Sequence, residues 1–500
     1  MSQSFPTREQ MQKRSASLSR RLMSQSFPTP EQIQKRSARL SRRRAIILIG
    51  LYVLFMVHLI HWWIAGRTVS PAELNETMFT IEEGVVTIGT ILLGLIMVSV
   101  LIFGRFFCSW GCHILALEDF ASWILGKFGI RPKPVRSRLL PLAALAALLY
   151  MFVWPTVIRL YEGRAWPGLR VLTDEQGLGS FTTEQFTRNL PGPLMTTVTF
   201  LVVGGAIVWL MGSRGFCRYV CPYGALFAGL DRLSPAGIQL VGDCDGCGKC
   251  TPACTSHIRV HHEIQVHGRV VTPGCMKDLD CVMSCPRDAL KFGYSKPPLL
   301  SSFENFTKPD VPWAWTWPQE ILGVFVCLGT LLATRQLYGE VPFLLAITLG
   351  VIASWAAVTT LKLFTDANLR VGRWKLKYHG DYKPNSIGWV FVVTVTFGLL
   401  VHSGWIRWHE YQGQKAWSQV QQGDFSQIKP MTDHLYIVID HGLWRPPYTD
   451  RMLADLWLGL GEYRRAIPHL ERLVVLWPEN ELRKNQLQNA KNVQLIPPEN

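Results

Sequence analysis

Long apolar runs alternate with short charged stretches along this chain, and several approach the roughly 20 residues that a helix needs to cross a hydrocarbon core. Seven such runs stand out, at 45–65, 85–104, 139–158, 194–212, 318–333, 342–363 and 387–404. The pattern predicts a mainly α protein, a seven-helix integral membrane protein. An α+β module is inserted between the fourth and fifth helices, and a helical tail follows the seventh. The first run is too long for a signal-peptide core and no small-residue cleavage site follows it, so it is expected to stay in the bilayer.

The polar segments complete the plan. Residues 1–44 are basic and carry a repeat: SQSFPTREQMQKRSASLSRR from Ser2 returns as SQSFPTPEQIQKRSARLSRR from Ser24. They are expected to be a disordered tail, some of it helical on anionic lipid, either a duplication or the product of a start codon placed ahead of Met23. Residues 45–212 hold four membrane helices, 213–300 the inserted module, 301–404 three more helices and 405–500 the outer tail. Within that tail, LADLWLGLGEYRRAIPHLERLVVLWPEN from Leu453 resembles one tetratricopeptide repeat, with Gly461, Tyr463, Ala466 and Pro478 at the pattern's marked positions. A single repeat cannot bury its own face, so flanking helices or a partner must complete it.

Charge sets the expected orientation. The net charge is +15, and the basic excess sits in the N-terminal tail and in loops. That placement points to the membrane surface rather than to nucleic acid. Arg42, Arg43 and Arg44 precede the first run, and Lys127, Arg131, Lys133, Arg136 and Arg138 follow the second. Arg370, Arg373, Lys375, Lys377 and Lys383 follow the sixth, whereas the loop after the first holds Glu73, Glu76, Glu82 and Glu83. The N-terminus and the inserted module are thus expected in the cytoplasm of a bacterial inner membrane, and the tail in the periplasm.

Eleven of the twelve cysteines fall into short-spaced groups, the habit of metal ligands rather than of disulfides. CDGCGKCTPAC places Cys244, Cys247, Cys250 and Cys254 in the C-x2-C-x2-C-x3-C run of two-cluster bacterial ferredoxins, in which the fourth cysteine serves the other cluster. A zinc ribbon also uses paired cysteines, but this spacing suits it poorly. The second half, CMKDLDCVMSCPRDALKFG, supplies Cys275, Cys281 and Cys285 and has Asp278 where a further cysteine is expected. Two 4Fe-4S clusters are predicted. One takes Cys244, Cys247, Cys250 and Cys285; the other takes Cys254, Cys275, Cys281 and either Asp278 or no fourth ligand, as in a three-iron form. Two further pairs, Cys108/Cys112 in RFFCSWGCHILALEDF and Cys217/Cys221 in GFCRYVCPYGALFAGLD, stand at the cytoplasmic ends of the second and fourth runs. Four apart, each pair is expected on one helix face, and their similar flanks point to an internal duplication. Four thiols there suit a third metal centre or cluster, a redox dithiol pair, Cu(I), or inert packing. Cys327 is expected to be packing.

Two C-x3-C motifs at the membrane edge followed by a two-cluster insert resemble the membrane polyferredoxins of the NapH, NosR and CcoG/RdxA types. The likeness covers 85–293. It implies electron transfer between the quinone pool or a cytoplasmic donor and a membrane or periplasmic acceptor, or, for the CcoG type, copper reduction. Cys221 is followed by proline as in that family, but Cys112 is followed by His113. No flavin-binding outer domain precedes the first run, and the outer tail is helical rather than all-β.

Other candidates are fewer. His58 and His61 share a face of the first run and are candidates for quinone or metal binding or for interfacial anchoring. HIRVHHEIQVHGRVV, from His257, is expected as a hairpin with solvated His257, His261, His262 and His267. Trp313, Trp315 and Trp317 are expected in an interfacial belt. No P-loop, nucleophile elbow or Rossmann glycine pattern is present. The function expected is an electron-carrier subunit, with a copper-reducing maturation factor and a redox sensor or assembly scaffold as rivals. The outer tail would dock an extracytoplasmic partner.

Overall fold

The computed structural model describes residues 27–130, 135–173, 179–186, 192–301 and 313–494. The first copy of the N-terminal repeat lies outside them. The described part is mainly helical, with small two- and three-stranded sheets. It divides into two units, one within Met1–Trp123, Ala144–Arg188 and Ser213–Pro312, the other within Ile124–Ala143, Asn189–Gly212 and Trp313–Asn500.

In the first unit, helix α1 (Pro30–Ala65) starts at a capping box in which Thr29 and Gln32 exchange side chain-to-backbone bonds. The basic stretch expected to be disordered is therefore helical from Pro30 onward, corrected by a local start signal in the second repeat copy. The N-terminal half of α1 is held by ion pairs from Arg36 to Asp288 at 2.7 Å and from the buried Arg44 to Asp280 at 3.1 Å. At its other end, strand β1 (Thr68–Val69) pairs with β2 (Thr182–Thr183), and Val85 bridges to Arg170. Helix α2 (Ile88–Phe103) then runs back, ending where the Arg105 backbone N–H meets Asp231 at 3.0 Å.

Two helical hairpins follow the two halves of the cysteine duplication. α3 (Phe106–Trp110) and α4 (His113–Lys127) form the first; after α5 (Pro141–Tyr161) and α6 (Pro193–Met211), the latter belonging to the second unit, α7 (Gly215–Tyr219) and α8 (Pro222–Asp231) form the second. The inserted module is framed by antiparallel strands β3 (Ala236–Leu240) and β4 (Leu290–Tyr294), in register over five pairs from Ala236↔Tyr294 to Leu240↔Leu290. Between them lie α9 (Cys250–Ala253), α10 (Val260–His267) and α11 (Asp280–Met283). The expected histidine hairpin is thus the helix α10. Val260 and Ile264, four apart, are both buried, and Gly268 ends the helix in the left-handed conformation. The core joins Ile238, Val260, Ile264 and Val270 to four cysteines, Cys254, Cys275, Cys281 and Cys285.

In the second unit, α12 (Trp317–Thr334) and α13 (Phe343–Thr365) pack closely. Ser354 Oγ donates to the Gly323 carbonyl at 2.6 Å, and Cys327 packs at Gly350. A three-stranded sheet, β5 (Leu369–Val371), β6 (Trp374–Tyr378) and β7 (Asp381–Tyr382), precedes α14 (Pro384–Gln421). Trp315 is buried rather than part of an interfacial belt, while Arg138 stacks on the more exposed Trp313 and Trp317. Beyond α14 come α15 (Ile428–His441), α16 (Pro447–Gly459), α17 (Tyr463–Leu476) and α18 (Glu481–Gln494). The α16–α17 hairpin turns at Gly461, φ 76°, and its apolar face is covered by its neighbours: Ala416, Met431, Leu435, Leu453, Ala466 and Ala490 share one core. Neighbouring helices thus cover the apolar face of this hairpin.

Among the described residues, six helices are long and apolar enough to cross a membrane: α1, α5, α6, α12, α13 and α14. The remaining apolar run is α2, of 16 residues, or about 24 Å.

Candidate iron–sulfur site

The inserted module brings two sets of candidate ligands together. Cys244, Cys247, Cys250 and Cys285 line one hollow, with Asp245, His261 and Arg287 around them. Gly246 and Gly248 have φ of 70° and 71°, which lets the loop double back between successive cysteines. Cys244 and Cys247 are exposed. The Asp245 carboxylate accepts from the Cys247 N–H at 3.2 Å and pairs with Arg287 at 3.2 Å. Those bonds, Cys247 first, hold it below the usual carboxylate range.

The second set is interior. Cys254, Cys275 and Cys281 are buried, as is Asp278. Asp278 lies between Lys277 and Leu279, both in the left-handed region at φ 57° and 66°, and its carboxylate accepts from Thr255 Oγ1. It is an electrostatic neighbour of Cys254, Cys275 and Cys281. Burial pushes the Cys250 thiol up to about 11 and those of Cys254 and Cys281 higher than usual, the two latter helped by Asp278. Left to themselves these thiols keep their protons at neutral pH, so binding a cationic centre there would release protons.

The C-x3-C pairs form a third group, arranged differently from the expectation of one helix face per pair. Each motif is a helix, a break and a second helix. Cys108 lies in α3 and Cys217 in α7, whereas Cys112 and Cys221 stand in the breaks, immediately ahead of α4 and α8. Cys221 caps α8, its sulfur accepting from the Gly224 N–H at 3.3 Å. Cys112 and Cys221 are electrostatic neighbours of each other and of both Cys108 and Cys217. Tyr52 of α1 donates to the His113 carbonyl at 2.9 Å, while Arg44 of α1 pairs with Asp119 at 3.3 Å.

Several residues of this site were not singled out from sequence. Glu118, fully buried, accepts from the Phe216 N–H at 2.9 Å and from the Cys217 thiol at 3.0 Å. Arg105 and Arg214 each stand three residues ahead of a motif's first cysteine, in RFFC and RGFC, and both are buried. The repeated R-x-x-C was the signal available. The flanking acids serve the opposite repeat: Asp119 pairs with Arg214 at 2.7 Å, and Asp231 accepts from the Arg105 backbone. Lys277 joins Asp231 at 3.0 Å, and Ser109 donates to the Met276 carbonyl at 2.7 Å, so the second cysteine set packs directly on α3.

His58 and His61 are engaged locally, His58 Nε2 with the Val69 carbonyl at 3.0 Å and His61 Nδ1 with Thr68 Oγ1 at 2.9 Å. His261 meets Thr251 Oγ1 at 2.8 Å, and His257 meets Ser213 Oγ at 3.0 Å. Among the described residues, no three His, Cys, Asp or Glu side chains converge closely enough to hold one metal ion.

Comparison with known families bears on the duplicated motifs. A family model described as "4Fe-4S binding domain" matches residues 85–131 and 194–239, each segment holding one C-x3-C pair. The chain carries this 4Fe-4S binding domain. Among curated relatives, YccM of Escherichia coli (strain K12), named for electron transport, is 30% identical over 41% of this chain and 56% of its own. The methylamine utilization ferredoxin-type protein MauN of Methylobacillus flagellatus is 28% identical over 34% of this chain and 56% of its own. The ferredoxin-type protein NapH of Haemophilus influenzae is 21% identical over 46% and 73%. The chain thus spans a little over half the length of the first two. No solved structure matches. The several apolar helices fit a multi-pass membrane protein, and the 4Fe-4S binding domain fits bound iron–sulfur clusters.

Proposed function

We propose that the protein is a membrane-bound electron carrier with three iron–sulfur centres, passing electrons between a cytoplasmic donor or quinol and a membrane or periplasmic acceptor. The observation that carries this reading is the gathering of eleven cysteines into three adjoining sets within one unit: one with the exposed Cys244 and Cys247, one with the buried Cys254, Cys275 and Cys281, and the half-buried C-x3-C quartet. The donor sets fit such centres. A cubane takes thiolates at separated corners, and the first set lines a hollow rather than meeting at a point. A family model for 4Fe-4S binding falls on the duplicated pairs, which favours a cluster over copper or a dithiol there.

Cys244, Cys247, Cys250 and Cys285 would hold the outer centre. Cys254, Cys275, Cys281 and Asp278 would hold the next, and Cys108, Cys112, Cys217 and Cys221 the innermost. When bound, such clusters accept and release one electron at a time. The chain supplies position and insulation. Asp245 and Arg287 edge the exposed hollow where a donor would approach, and the Ser109–Met276 bond fixes the second set against the third. The seven-crossing topology is supported by α2, which runs from the β1 end of the unit back to Asp231, and by the Lys/Arg bias. It puts the insert in the cytoplasm and the helical tail, as the docking element for an acceptor, outside.

The test is anaerobic iron and sulfide content with EPR on wild type and on the Cys108→Ser/Cys217→Ser variant. Three centres give about twelve irons, or eleven with a three-iron second centre, and the variant loses one distinct signal. Unchanged iron in the variant would remove the third centre, and stoichiometric copper binding would then favour the copper-reducing reading.

A further inference from the structure

Arg105 is 4% exposed, yet among the described residues its guanidinium forms no close ion pair of the kind a buried arginine usually has. Its backbone N–H, not its side chain, bonds Asp231, whose carboxylate also engages Lys277. The guanidinium gives one bond to the Pro273 carbonyl at 2.9 Å, and Nε has no partner. Among the described residues no carboxylate is paired with it. Its electrostatic neighbours are Cys108 first, then Asp231 and Cys217. The equivalent residue of the other repeat, Arg214, is by contrast paired with Asp119 at 2.7 Å.

A buried cation of this kind needs an anion, and isolated thiols do not supply one. Four thiolates around a cubane do, since the centre then carries net negative charge that grows on reduction. We propose that Arg105 is the built-in counter-charge of the centre held by Cys108, Cys112, Cys217 and Cys221, stabilising its reduced form and so raising its reduction potential. This rests on the cluster reading above. The asymmetry between the two arginines assigns the role to one of them. Arg214 has a close carboxylate in Asp119, one it shares with Arg44, whereas Arg105 has only the less close Asp231, already bound to Lys277, and so keeps more of its charge for the cluster. Arg105 is a positioning residue, acting on the centre's electronics through Cys108.

The experiment is EPR-monitored redox titration of the full-length protein in detergent, with iron content, for wild type, Arg105→Gln and Arg105→Lys. Arg105→Gln is expected to keep the iron and shift the quartet's oxidised-to-reduced ratio at fixed potential at least tenfold toward oxidised, a drop of 59 mV for one electron. Arg105→Lys, which keeps charge but not the planar fork, should lie between, and the insert's signals should move little. Full iron with an unshifted quartet potential in Arg105→Gln overturns the proposal. If Arg105→Gln instead loses the quartet's signal, Arg105→Lys decides. Recovery of the signal near the wild-type potential upholds the charge role, and equal loss overturns it. A wild type with no quartet signal sinks the cluster reading itself, and this inference with it, a result distinct from an unshifted potential.

Discussion

The Cys217 thiol donates to the buried Glu118 carboxylate at 3.0 Å, tying the second C-x3-C motif to the helix that follows the first. The same carboxylate takes the Phe216 N–H. Replacing Glu118 by alanine leaves that N–H buried without an acceptor, at a cost of about 1–3 kcal/mol. Glu118→Ala is expected to lower the unfolding temperature and weaken the quartet's EPR signal while sparing the insert's. Loss of all signals together would mean that the two halves do not assemble separately.

Asp278 faces Cys254, Cys275 and Cys281 from the position where the ferredoxin pattern places a cysteine. A carboxylate binds iron less firmly than a thiolate does. Asp278→Cys is therefore expected to retain four irons in the second centre through brief ferricyanide treatment, whereas wild type gives a three-iron EPR signal. Identical signals before and after would show that residue 278 is not a ligand.

In the tail, Asp450 is fully buried and meets Arg445, Arg472 at 3.0 Å and His469 at 2.8 Å. Burial pushes its carboxyl up, but the bonds from His469 and Arg445 outweigh this and hold it below the usual range. A depressed carboxyl adds stability above its unfolded value of about 3.9, and that contribution fades as pH falls through the lower folded value. Asp450→Asn is expected to cost about 3–5 kcal/mol near neutral pH. Its effect should shrink below about pH 4. Thermal melts of the full chain followed by circular dichroism across that range check the sign. A pH-independent difference would point to lost packing instead.

Gly350 admits α13 against α12: a Cβ there would stand 2.8 Å from the Cys327 carbonyl and 3.1 Å from its sulfur. Gly350→Leu should part the two helices, an overpacking cost of about 1–3 kcal/mol. Cys327→Ser should leave iron content unchanged, because this lone cysteine is packed against helix backbone. Iron lost from Cys327→Ser would place it among the ligands.

Much of the site was legible because spacing in the chain is itself ligand chemistry. The runs through Cys244 and Cys281 named their own members, and the structure gathers Cys244, Cys247, Cys250 and Cys285 around one hollow as the crossover pattern implies. Each of the seven apolar runs falls on a helix, since backbone groups in an apolar segment must bond within it. What misled were local patterns that tertiary packing overrides. Alternation around His261 suggested strands, yet burial of Val260 and Ile264 on one face makes a helix. Four-residue spacing in the C-x3-C pairs suggested one helical face, yet each motif breaks between its cysteines.

The sequence by itself determined the apolar runs, the cysteine groupings and the duplication, because each is a property of neighbours along the chain. Only the tertiary structure decided which buried charges meet. Arg105 beside Cys108 is local, but Asp119 with Arg214, Asp231 with the Arg105 backbone and Glu118 with Cys217 all cross from one repeat to the other. Those pairings depend on how two distant hairpins pack. No spacing encodes them, because a charge in a low-dielectric interior takes the partner that folding brings within reach.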